Sequence, residues 1–151
     1  MHFTTPALSL LGVSRMFLLI ATLVFTTNSF AATAKEYYEF QEKCRKSADE
    51  VFHKHWDDNP AIFGDYMISS SYQNHYNKKL NKCILWATTN SASLKKEYKS
   101  QISMTLLDIQ ENRDIGVFAS IGMEVKQCFV DNEDCSSQLE WVKLIIPYME
   151  R

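Results

Sequence analysis

The chain has 151 residues, 46% of them hydrophobic and 23% charged, and a formal net charge of −2. That balance belongs to a folded domain, and the length allows one core with little room for a second. Sixteen Lys and Arg against eighteen Asp and Glu, with the basic residues scattered, exclude the electrostatic footprint of a nucleic-acid-binding protein, and four glycines leave little material for a glycine-rich phosphate loop.

Residues 1–34 read differently from the rest. Arg15 precedes an apolar run, MFLLIATLVF (Met16 to Phe25), and a small, polar stretch, TTNSFAATA, follows. A charge, an apolar core and a small-residue exit are the layout of a secretory signal peptide. Ser29 and Ala31, or Ala32 and Ala34, offer the small residues that a signal peptidase reads. A leader over residues 1–31 is therefore expected, with a second cleavage point after Ala34, and a single α+β domain over 35–151. An uncleaved anchor over Met16 to Ala34 is the rival reading, weakened by polar Thr26, Thr27, Asn28 and Ser29, and nothing after Lys35 is long and apolar enough to span a bilayer. The expected location is the periplasm or the medium.

Lys35 to Asp58 predicts a helix. Tyr37, Phe40, Cys44, Ala48, Val51 and His55 recur at steps of three or four, widened by Phe52 and Trp56, and charged residues fill the other face. The segment Asp57-Asp58-Asn59-Pro60 ends it, because proline disfavours helical geometry in the residue before it. Pro60 to Asn77 predicts a loop and then a short irregular strand around Tyr66 to Tyr72. Leu80 to Thr88 predicts a strand with apolar residues on both faces, and Thr89 to Lys99 a polar connection. Ile102 to Ile109 and Ile115 to Ile121 predict a hairpin about the polar turn Gln110 to Asp114. Gly116 and Gly122 mark a bulge or a close approach. Val125 to Val130 predicts a further strand.

Ser137 starts the last helix, with Glu140 at capping-box spacing. Leu139, Val142, Ile146 and Met149 form its expected inward stripe, with Trp141 and Ile145 beside it. Pro147 is expected to kink or stop it, since proline lacks the N–H that would bond Lys143. The expected architecture is an antiparallel sheet of three to five strands with the N-terminal and C-terminal helices packed on one face, stabilised by disulfides.

All four cysteines, Cys44, Cys83, Cys128 and Cys135, follow the leader, an even number that fits two disulfides in an oxidising compartment. Three pairings are open. Asp131-Asn132 can turn the chain between Cys128 and Cys135, which favours that pair and leaves Cys44 with Cys83, tying the first helix to the sheet. There is no close Cys-x2-4-Cys pair of the kind that zinc sites use, and no Cys-x-x-Cys for redox chemistry.

Candidate chemistry is sparse. His53 and His55 lie two apart and do not share a helix face; His55 is expected at the edge of the core. His75, in NHYNKK, is the first choice for a catalytic base if one exists, and it would need a carboxylate and a nucleophile nearby. Asp131 to Asp134 resembles a cation loop only in composition and reads as a solvated turn. Ser93 and Lys96 match a Ser-x-x-Lys spacing without its companion motifs. Lys78, Lys79, Lys82 and Lys95, Lys96, Lys99 read as solvated. Tyr66, Tyr72, Tyr76 and Trp86, among Asn74, Asn77 and Asn81, have the composition of a recognition surface, although the same residues could pad a sheet and make turns.

The stretches SYQNHYNKKLNKCIL (Ser71 to Leu85), LLDIQENRDIGVFAS (Leu106 to Ser120) and CFVDNEDCSSQLEWVKLIIPYMER resemble small exported bacterial proteins of uncharacterised function. The resemblance covers most of the mature chain and rests chiefly on His75, Tyr76, Asn77, Lys79, Leu80, Asn81, Lys82 and Cys83 behind a cysteine-bearing helix. It implies an exported folded domain and carries no catalytic residues with it. No catalytic, cofactor-binding or metal residues and no cofactor are assigned. The expected role is a non-enzymatic binding or structural protein of the cell envelope, its partner another envelope protein or a cell-wall component. A small hydrolase using His75 and an inhibitor presenting the Cys128–Cys135 loop are the alternatives.

Overall fold

The computed structural model describes residues 33–56 and 60–150; the leader assigned to residues 1–31 and the helix end assigned to Asp58 lie outside them. Helix α1 spans Ala34–His55 and is set by a capping box. The Thr33 hydroxyl accepts from the Glu36 N–H at 3.3 Å, and the Glu36 carboxylate accepts from the Thr33 N–H at 2.6 Å. The donation from the Thr33 N–H, and then that from the Thr33 hydroxyl at 2.9 Å, hold the Glu36 carboxyl below its ordinary range.

The buried row of α1 is Cys44, Ala48 and Phe52, one residue per four. His55 was expected at the core edge and is instead exposed. Trp56 leaves the helix with extended backbone, stacks on Phe52 at 5.8 Å and packs against the cluster of Ala48, Leu85 and Leu107.

The described residues form seven strands: β1 (Ala61–Phe63), β2 (Tyr66–Asn77), β3 (Lys82–Ser93), β4 (Gln101–Asp108), β5 (Arg113–Ile121), β6 (Glu124–Val130) and β7 (Glu133–Asp134). They pair antiparallel in chain order. The turns pass through left-handed residues that tolerate that geometry: Gly64, Asn81, Asn112, Gly122 and Asp131. β5 carries an extra residue at Ile115, where the register with β4 shifts. Beside it, a Cβ on Gly116 would lie 2.9 Å from the Phe129 carbonyl oxygen, so the expected close approach at this glycine is present.

Seven strands exceed the expected three to five. β1 and β7 are too short to leave a periodic signal. β2 runs twelve residues to Asn77 where a loop and a strand ending at Tyr72 were expected, and β3 continues to Ser93 through the supposed polar connection. Polar side chains satisfy one another across these strands, as Ser70 and Thr89 do at 3.0 Å, so strand structure persists without apolar alternation.

The two helices lie on opposite faces, which corrects the expectation of one shared face. Successive strand residues point to alternate sides. On one side Tyr72, Tyr76, Cys83, Leu85 and Leu107 pack with Cys44, Ala48 and other residues of α1. On the other, Ile84, Met104, Leu106, Phe118, Cys128 and Val130 pack with Trp141 and Ile145 of α2 (Gln138–Met149). α2 crosses its face from β6 to β2.

In α2 the Ser137 hydroxyl accepts from the Glu140 N–H, as expected of an N-cap. The Glu140 carboxylate reaches back to Ser136 rather than to Ser137, accepting from the Ser136 N–H and hydroxyl at 2.8 Å each. The buried residues are Trp141 and Ile145, whereas Leu139 and Ile146 of the expected stripe are exposed. α2 is apolar nearly all round, so periodicity does not choose its inward face; the large Trp141 ring, 5.8 Å from Trp86 of β3, does. Pro147 does not stop the helix, which runs two residues further to Met149.

Both disulfides have the favoured pairing. Cys44–Cys83 ties α1 to β3, and Cys128–Cys135 ties β6 to the segment that enters α2. Among the described residues no helix is long and apolar enough to cross a membrane.

Candidate functional site

The His75–Cys83 segment is the β2–β3 hairpin, and nearly every polar residue in it is engaged in holding the fold. Asn77 is buried beneath the end of α2. Its amide N–H groups donate to the carbonyls of Pro147 at 2.8 Å and Tyr148 at 3.1 Å, and its Oδ1 accepts from the Leu80 N–H at 3.0 Å. His75 Nε2 lies 2.7 Å from the Glu150 carbonyl, which can only accept, so that nitrogen carries the proton. The last turn of α2 has no basic residue of its own, and these two side chains from β2 satisfy carbonyls that a helix end leaves free.

On the α1 side, the Tyr76 hydroxyl donates to Asn81 at 2.7 Å, which holds the left-handed turn residue. Lys82 donates to Asp108 and pairs with Glu111 at 3.1 Å. Asp108 is fully buried and also accepts from the Gln110 and Glu111 N–H groups, closing the β4–β5 turn. Hydrogen bonding to Asp108 and then to Glu111 raises the Lys82 ammonium above its ordinary range. At the next turn the Tyr148 hydroxyl donates to Asp131. Burial, and then that bond, push the Tyr148 phenol up to about 12.

Beside this clasp lies a cleft of about 340 Å³ lined by Tyr37, Tyr38, Gln41, Asn74 and His75. Asn74 and His75 point to opposite faces of β2, so a cleft touching both sits at the margin of the sheet. Gln41 fixes the local geometry. Its Oε1 accepts from the Tyr76 N–H at 3.0 Å, which leaves its amide nitrogen to donate to Asn74 Oδ1 at 3.3 Å. Tyr37 packs between Tyr38 at 6.0 Å and Tyr76 at 6.1 Å, and Phe40 stacks on Tyr76 at 5.1 Å. Tyr38, 70% exposed, is the open end of this aromatic row.

The candidates read from the sequence fare unequally. His75 lines the cleft, but neither a carboxylate nor a serine or cysteine lines it with it. His53 pairs with Asp49 at 3.5 Å on the surface of α1. The Ser93 hydroxyl makes a local turn, donating to the Lys95 carbonyl and accepting from the Lys95 N–H, so it has no special relation to Lys96. Asp131 is held by Tyr148 and by Arg113, and the Cys128–Cys135 loop is folded back as the β6–β7 pair. Among the described residues no three His, Cys, Asp or Glu are grouped to hold a metal ion.

The tyrosine and asparagine cluster is not one surface. Tyr72 donates to Asp49 at 2.8 Å and Tyr66 packs on Tyr98, while Trp86 and Asn77 face α2. Only Asn74 contributes to the cleft. Tyr38 and Gln41 were missed, because they sit off the apolar stripe of α1 and look like ordinary solvent-facing positions. Comparison with family models, with curated proteins and with solved structures finds no match for this chain.

Proposed function

We propose that this chain is a non-catalytic binding domain that works outside the reducing cytosol, and that the Tyr38 cleft is its contact surface for an envelope protein or a cell-wall component. The observation that carries this reading is the chemistry of the cleft lining. Two tyrosines and two amides offer aromatic contact and neutral hydrogen bonding. Hydrolysis through His75 would need a nucleophile and an orienting carboxylate, and the imidazole already spends Nε2–H on the end of α2. The two disulfides and the leader-like N-terminus support the compartment.

A photo-crosslinking residue at position 38, expressed in the native cell, tests the reading. A discrete adduct at position 38 that is missing at exposed Leu139, on the opposite face, is expected. Absence of any adduct at 38 and at its neighbour Lys35 would overturn the proposal.

A further inference from the structure

We infer that the ligand of this cleft is a neutral saccharide; this deepens the binding reading above and depends on it. The size is that of a small-molecule site, about 340 Å³, at the lower end of the range such sites occupy. Most other ligand classes fit this lining less well, although Lys35, Lys43, Glu39 and Glu42 line the groove on the other side of Tyr38. A phosphate or carboxylate ligand would draw Lys or Arg into the lining, and a cation would draw Asp or Glu; the lining has neither. A wholly apolar ligand would strand the amides of Gln41 and Asn74 against it without partners.

The polar groups are fixed before any ligand arrives. Because Gln41 Oε1 is taken by the Tyr76 N–H, its amide orientation is determined, and through it that of Asn74. One N–H of Gln41 and both N–H groups of Asn74 are then left as donors without a partner among the described residues. A sugar ring is the ligand whose hydroxyls both donate and accept at close spacing, and whose axial C–H face is apolar. The exposed ring of Tyr38, buttressed by Tyr37, supplies a flat surface for that face. Rigid aromatic and amide groups bind at little cost in side-chain entropy.

An extended peptide is the neutral polar competitor. It binds a sheet margin through regularly spaced backbone groups. Here one of the backbone donors on this edge, the Tyr76 N–H, is already capped by Gln41, which interrupts the regular spacing that such a strand would need.

The test is titration of the disulfide-intact, isotope-labelled domain with a panel of soluble neutral oligosaccharides, built from N-acetylglucosamine, glucose, galactose and mannose. The side-chain amide resonances of Gln41 and Asn74 are followed. Saturable shifts of these amides with at least one member are expected. Tyr38→Ala should weaken binding about tenfold through loss of the stacking surface while leaving the unfolding transition unchanged, since the ring is mostly exposed. Asn74→Ala should weaken the same titration. Silence across the panel, shifts confined to other parts of the domain, or wild-type binding by Tyr38→Ala would overturn the inference. A protein adduct from position 38 together with a silent panel would remove the saccharide and leave the binding reading standing. Silence in both experiments would remove both.

Discussion

Asn77→Asp is the most discriminating single change in this molecule. Asn77 is 1% exposed and makes three hydrogen bonds. Aspartate keeps the volume and the oxygen that accepts from Leu80, but turns the amide nitrogen into a second oxygen facing the Pro147 and Tyr148 carbonyls. Two hydrogen bonds of about 1 kcal/mol each are lost, and the stranded carbonyls and the unfavourable oxygen contacts add to that. A loss of about 3 kcal/mol at neutral pH is expected, a large share of the roughly 5–15 kcal/mol that a domain has. Urea unfolding with the disulfides intact measures it, and an unchanged denaturant slope would show that the denatured state is the same. Hydrogen exchange should accelerate most in the last turn of α2. Acidification should return part of the loss, because a protonated carboxyl can again donate to one carbonyl. A change below about 0.5 kcal/mol at neutral pH would refute the argument that β2 holds the end of α2.

Three further outcomes are expected. Tyr148 should ionise near pH 12, against about 10 for a tyrosine in the unfolded chain. The raised folded value means that its contribution to stability is complete below pH 10 and lost as pH rises towards 12. Phenolate absorbance should show a late component that Tyr148→Phe removes, and Asp131→Asn should bring it earlier. Replacing Cys44 and Cys83 by alanine should cost about 4 kcal/mol and replacing Cys128 and Cys135 about 2.5 kcal/mol, by loop entropy over separations of 39 and 7 residues; equal losses in urea unfolding would contradict that ordering. Gly116→Ala should cost about 1–3 kcal/mol in thermal unfolding, because the new Cβ meets the backbone carbonyl of Phe129 and cannot swing away; a neutral result would mean that β5 and β6 separate easily.

Local signals in the sequence were sufficient for much of the fold. The first helix, the Ser137 helix start, the β4–β5 hairpin and the two disulfides follow from helical periodicity, capping chemistry, short-range alternation and a turn between Cys128 and Cys135, whereas the Thr33 cap was not read.

Tertiary structure alone decided three things. It put the helices on opposite faces, because β3 is buried on both sides over Cys83 to Leu85 and period alone does not say which helix takes which. It turned α2 onto Trp141 and Ile145, because a helix apolar on nearly every side is oriented by what it packs against. And it assembled the cleft, joining Tyr38 and Gln41 of α1 to Asn74 and His75 of β2 across more than thirty positions. A side chain's neighbours along the chain set its backbone, whereas its chemistry depends on which distant groups the folded sheet brings within hydrogen-bond reach, and no pattern of sequence spacing encodes that distance.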